Sequence, residues 1–193
     1  MNEYYDSNDE KFGPISSYIY RYFAEPFLKG YYKIIAEEIS KYEATKILDI
    51  GSGTGKLLKE ISKIHNAQLY GIEPSMFMIN IASKRLKNEI LKSKVRIFQG
   101  SSRYIPVNEK FDLIVTTFSF HHWSNKFESI PYIMGFTSEK GSFLIFDYDN
   151  DMGRLKNSHG LSEKDFPREI LETYVVEFEH MKKSILKVAI KSK

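Results

Sequence analysis

The densest chemistry in the chain lies in Ile47-Leu48-Asp49-Ile50-Gly51-Ser52-Gly53-Thr54-Gly55. An apolar run delivers the chain into a turn with glycine at alternate positions, and a helical pattern follows. Glycines tolerate positive φ and let a ligand approach backbone N–H groups at a helix N-terminus. Glycine-rich turns also arise for purely steric reasons, so the turn alone decides nothing. Asp49 stands beside it, where it would repel a pyrophosphate and attract an ammonium group. Twenty-two residues after Gly51, Glu73 directly follows the apolar run Leu69–Ile72. An acid at the end of a second strand can accept both hydroxyl protons of a ribose. Together these features point to a nucleoside-bearing ligand without choosing which. His121 and His122 follow a fourth apolar run, and imidazole is the side chain suited to move a proton near neutral pH. They serve equally well as residues that hold a loop. Asp147, with Tyr148 and Asp149, is similarly placed after a fifth run to contact an acceptor.

These residues need elements to position them. Apolar runs at Lys46–Ile50, Gln68–Ile72, Lys94–Phe98, Asp112–Thr117 and Ser142–Asp147 alternate with helix-like patterns at Lys56–His65, Ser75–Ile90 and Asn125–Phe136. Leu113-Ile114-Val115 and Phe143-Leu144-Ile145-Phe146 lack polar alternation, as strands covered on both faces do. The alternation predicts a parallel, doubly wound α/β sheet. Asn125 to Glu128 and Ser162 to Asp165 have capping-box spacing. Near the end, Tyr174–Val176 and Ile185–Ile190 are separated by about seven residues, too few for a parallel crossover, so an antiparallel hairpin is expected. Upstream, Ile15, Tyr18, Ile19, Tyr22 and Phe23 mark a helical face, Pro26 interrupts it, and Phe27, Tyr31, Ile34, Ile35 and Ile39 continue. This aromatic segment is expected to pack on the sheet, with Tyr18 or Tyr22 closing over a bound cation.

At 193 residues the chain has the length of about one domain. Hydrophobic residues at 42% and charged residues at 27% exclude a disordered chain. No apolar run approaches the ~18 residues of a membrane span, and the polar start MNEYYDSNDE has no signal-peptide pattern. Cysteine is absent, which excludes disulfides, thiolate nucleophiles and cysteine-held metal centres. A cytoplasmic location is expected. The net charge of +3 is too small to indicate nucleic acid, and the lysine-rich stretches read as solvated faces.

The chain resembles class I S-adenosylmethionine-dependent methyltransferases, and most of all the small-molecule branch that includes the ubiquinone/menaquinone-biosynthesis type. The resemblance rests on ILDIGSGTG at 47–55, GIEPSMFMINIA at 71–82, FQGSSRYIPV at 98–107, FDLIVTTFSFHHW at 111–123 and KGSFLIFDY at 140–148, in the family's order and spacing. It implies a Rossmann-like sheet of seven strands, five parallel plus a terminal hairpin with one antiparallel strand. It also implies S-adenosyl-L-methionine as cofactor. Asp49, Gly51, Ser52, Gly53 and Gly55 would surround the methionine moiety, Glu73 the ribose, and Pro74 and Met78 the adenine. Thr117 and Phe118 would line the sulfonium. Gly100-Ser101-Ser102 replaces the family's usual Gly-Asp-Ala, leaving Ser101 and Ser102 to meet the adenine with weaker acceptors. The loop GFTSEKGS at 135–142 departs as well. His121 and His122 are the candidate catalytic residues.

One methyltransferase domain is expected over residues 1–193, divided into an aromatic helical segment (1–43), a cofactor-binding core (44–150), and a short helix with the hairpin (151–193). The expected partner is a small-molecule acceptor. Thr117-Phe118-Ser119-Phe120 lacks the Asp/Asn-Pro-Pro-aromatic motif of enzymes that methylate the amino groups of DNA bases, and lack of cysteine rules out cytosine C5 chemistry. Metal-dependent methylation would draw on Asp147, Asp149 and Asp151. Competing readings are a cofactor-binding but silent partner subunit, an RNA methyltransferase, and a nicotinamide-dependent oxidoreductase. Asp49, the glycine spacing and the antiparallel ending oppose the last.

Overall fold

The computed structural model describes residues 25–152 and 160–193. Five parallel strands, β1 (Lys46–Ile50), β2 (Gln68–Glu73), β3 (Val95–Gln99), β4 (Phe111–Thr117) and β5 (Thr137–Asp149), are joined by helices. The two-residue β6 (Gly160–Leu161) extends the edge of β5, and β7 (Tyr174–Met181) and β8 (Ile185–Ser192) form the closing hairpin. The order across the sheet is β3-β2-β1-β4-β5-β8-β7, so β8 inserts antiparallel between β5 and β7. The seven expected strands and the antiparallel ending are present; β6 is an addition too short to leave a pattern.

Helix α1 (Glu25–Ile39) and α2 (Lys56–Ile64) cover one face. There Ile35, Ile39, Leu58 and Ile61 pack against Leu113, Val115, Leu144 and Phe146. The opposite face buries Ile114, Phe143 and Ile145 under Ile130 and Ile133 of α5 (Ser129–Met134). Alternate residues of β4 and β5 thus enter opposite cores, as the period of two requires, and both sides are apolar because both are covered.

Three expectations are corrected. The single helix over 75–90 is two, α3 (Met76–Arg85) and α4 (Lys87–Leu91), because Leu86 leaves helical geometry at φ −100°, ψ 16° to bury its side chain. The helix over 125–136 begins only at Ser129 without a side-chain cap; Asn125 contributes its carbonyl, which accepts from Ser129 N–H and Oγ at 3.1 Å. β5 starts at Thr137 rather than Ser142, pairing Phe111 with Thr137 across a bulge. The Ser162–Asp165 capping box forms as expected and opens a single 3-10 turn ahead of α6 (Arg168–Thr173). The helical face over 15–23, including Tyr18 and Tyr22, lies outside the described residues.

One buried charge cluster fastens α1 to the hairpin. Lys187 of β8 donates to Glu38 of α1 at 2.7 Å and to Glu179 of β7 at 2.8 Å. Burial works against its charge, but the bonds to Glu179 and Glu38 prevail and raise its pKa above the ordinary lysine value. Among the described residues no helix is long and apolar enough to cross a membrane.

Candidate active site

The C-terminal ends of β1, β2 and β4 open into one cleft enclosing about 970 Å³, open solvent at its mouth included. The floor is the glycine turn. Gly51 (φ 75°) and Ser52 donate their N–H groups to Ile72 carbonyl at 2.8 and 3.0 Å, which locks the turn to β2. A side chain on Gly51 would collide with Ser119 Oγ, whereas one on Gly53 would meet nothing within 4 Å. Gly51 therefore admits the β4 loop, and Gly53 faces room for a ligand.

Gly55 does something else. It does not line the cleft, and a Cβ there would stand 2.7 Å from Leu86 Cδ1 and 3.1 Å from Ala82 Cβ. Its part is to let α2 start from φ 71° against α3, so its expected cofactor contact is corrected to a packing role. Gly55→Ala combines left-handed strain with overpacking, about 2–4 kcal/mol in sum. For a chain of this size a fall in melting temperature of roughly 5–15 °C is expected, with ligand affinity of the folded protein kept. An unchanged melt would refute the packing role.

Two buried carboxyls face the cleft. Asp49 is pushed up to about 8, by burial first and by the charge of Glu73 second. Glu73 is pushed up to about 7, since burial outweighs the N–H groups of Ser75 and Gly53, each donating to it at 2.9 Å. Each acid is thus poised for an incoming positive charge or hydroxyl donor. Ser52 Oγ and Thr117 Oγ1 are buried, find no hydrogen-bond partner among the described residues, and line the same cleft. A ligand carrying an ammonium, a ribose diol and further polar groups fits this donor and acceptor set.

Several residues singled out in the sequence are placed in the remaining walls. Pro74, Met78, Ser101 and Ser102 line the side beyond Glu73. Ser101 Oγ accepts from Arg103 N–H at 3.2 Å and its backbone pairs with Tyr104, so the serine replacing the usual aspartate also holds its own turn. Phe118 adopts φ 49°, costly for a bulky residue, and stacks on Tyr148 at 4.6 Å. Of the histidines, His122 lines the cleft and His121 does not. Asp147 is fully buried and bonded to His121, so its expected acceptor contact is corrected. Asp149 holds His180 at 2.6 Å, and Asp151 accepts from Ser162 Oγ. The three alternating aspartates thus turn to separate partners, and among the described residues no cluster of three or more metal-ligating side chains occurs.

Residues 47–131 match the family described as a methyltransferase domain. Over that segment the chain is similar to S-adenosylmethionine-dependent methyltransferases, and its sheet has their fold. An uncharacterized methyltransferase of Alkaliphilus oremlandii is 34% identical over 115 residues, 58% of this chain and 50% of the relative. The ubiquinone/menaquinone biosynthesis C-methyltransferase UbiE of Wigglesworthia glossinidia brevipalpis is 26% identical over 110 residues, 55% of this chain and 44% of the relative. The chain thus spans about half the length of these curated relatives. A methyltransferase structure from Aquifex aeolicus superposes with TM-score 0.75 at 19% identity, covering 93% of this chain and 98% of its own. Tyr32, Lys56, Ser119 and Trp123 also line the cleft, although none is among the residues singled out above for the cofactor. Tyr32 arrives from α1 and Trp123 from the loop after β4, where Trp123 Nε1 donates to Ser119 Oγ at 3.1 Å.

Proposed function

We propose that this domain transfers a methyl group from S-adenosyl-L-methionine to a small-molecule acceptor. The observation that carries the reading is the pair of buried acids facing the cleft beside the glycine turn. Asp49 takes the ammonium of the methionine moiety, with Ser52 and the backbone at Gly51 and Gly53 around it. Glu73 accepts from the ribose hydroxyls, Pro74, Met78, Ser101 and Ser102 enclose the adenine, and Thr117 and Phe118 border the sulfonium. A bound sulfonium supplies a methyl group already activated for displacement. The chain's part is to align an acceptor and exclude water, which the Phe118–Tyr148 stack and Tyr32 do from the α1 side. The Wigglesworthia relative, named for ubiquinone and menaquinone biosynthesis, supports an acceptor of small size.

Calorimetric titration tests this directly. Wild type is expected to bind S-adenosylmethionine and S-adenosylhomocysteine with dissociation constants on the order of micromolar, and NAD not at all. Glu73→Ala is expected to weaken both adenosyl ligands about 100-fold, as removal of two charge-assisted hydrogen bonds does. Binding of NAD in their place would refute the reading.

A further inference from the structure

The end of β5 holds a chain of groups that cofactor binding does not use. Asp147 is fully buried, and its Oδ1 lies 2.6 Å from His121 Nδ1 while accepting from Tyr148 N–H at 2.9 Å. Its Oδ2 accepts from the His121 N–H at 3.1 Å. A carboxylate at this contact accepts, so Nδ1 of His121 carries the hydrogen and the ring is fixed in both tautomer and orientation. The His121 ring then lies against that of His122, centroids 3.9 Å apart at 49°. His122 is the histidine of the cleft wall, beside Trp123 and the Thr117–Ser119 corner.

We propose that Asp147 and His121 are positioning residues that hold the His122 ring in the cleft wall as the base that takes the acceptor's proton. The proposal rests on the methyl-transfer reading. Of the other titratable groups of the cleft, Asp49 and Glu73 face the cofactor and Lys56 lies 3.6 Å from Glu60. With a hydroxyl acceptor, the O–H bond breaks and the proton passes to an imidazole nitrogen of His122. The oxygen pair so freed forms the bond to the methyl carbon, and the pair of the broken sulfur–carbon bond stays on sulfur.

The test uses the complex with S-adenosylhomocysteine and 4-nitrophenol as a chromogenic probe, titrated between about pH 5 and 9. In wild type the bound probe is expected to ionise at lower pH than in His122→Ala, by about one pH unit or more. Asp147→Asn and, as a second variant should that one misfold, His121→Gln are expected to reproduce the shift with affinity for S-adenosylhomocysteine unchanged. Nitrogen-15 spectra of the imidazoles are expected to show His122 altered in both. A complex that binds S-adenosylhomocysteine but ionises the probe equally in wild type and His122→Ala, or does not bind it, overturns the proposal. Unchanged His122 spectra in Asp147→Asn and His121→Gln overturn the positioning role. Failure to bind S-adenosylhomocysteine refutes the methyl-transfer reading itself, a distinguishable result.

Discussion

Asp49→Asn is expected to melt at higher temperature than wild type and to lose the cofactor. Burial and Glu73 raise the Asp49 pKa from 3.8 to about 8, so between those values the folded state holds a proton that the unfolded state has released. Stability therefore falls as pH rises through that window; the penalty is absent below it and complete above pH 8. Asparagine keeps the shape and removes the titration. Its gain is several degrees at pH 8 and shrinks toward zero near pH 4. Binding runs the other way. The ammonium requires the carboxylate, so wild-type affinity climbs toward pH 8 with expulsion of a proton, and Asp49→Asn weakens binding about 100-fold or more with less pH dependence. Calorimetry in two buffers of different ionisation enthalpy reads the released proton directly. Equal affinity in the two proteins, or an unshifted melt at pH 8, would contradict the electrostatic account of the cleft.

Lys187→Met is expected to produce the largest loss of stability outside the cleft. The side chain of Lys187 is 10% exposed and that of Glu38 8%. Removing the ammonium leaves Glu38 buried, with the exposed Lys41 at 2.5 Å as its remaining cation among the described residues. Breaking one side of a buried pair costs about 3–5 kcal/mol, equivalent to roughly 6–20 °C in a chain of this length. The double variant Lys187→Met with Glu38→Leu is expected to recover much of that loss, since an apolar pair leaves no stranded charge. A thermal melt of the two variants separates stranded charge from mere loss of packing: no recovery in the double variant would rule out the former.

What the sequence reveals depends on where a residue stands. Asp49 and Glu73 are legible because each ends an unbroken apolar strand, and strand ends of a doubly wound sheet are where ligands lie. β1 reads correctly at both ends for the same reason. β5 does not, because its polar start at Thr137 is recruited by pairing with Phe111 and has no pattern of its own. Tyr32, Ser119 and Trp123 reach the cleft from a helix face and a loop, whose directions no periodicity encodes. Gly55 looks like its neighbours in sequence, yet only the packing of Leu86 against it distinguishes its role. The histidine pair is plain in sequence, but which ring faces the cleft depends on Asp147, twenty-six residues after His121.

The insertion of β8 between β5 and β7 also orders events in time. β5 carries Phe143-Leu144-Ile145-Phe146, all fully buried, and one of its edges is closed over those residues only by Lys187–Ile190. While the chain is being synthesised, the whole cofactor half can form before that partner emerges. During this interval a long apolar edge stands open, the kind of surface on which strands of other chains add. The Glu38–Lys187 contact spans 149 residues and forms only once β8 is in place. β8 therefore closes that edge late, and the tie from α1 to the hairpin through Glu38 and Lys187 is added after α1 has packed on the sheet.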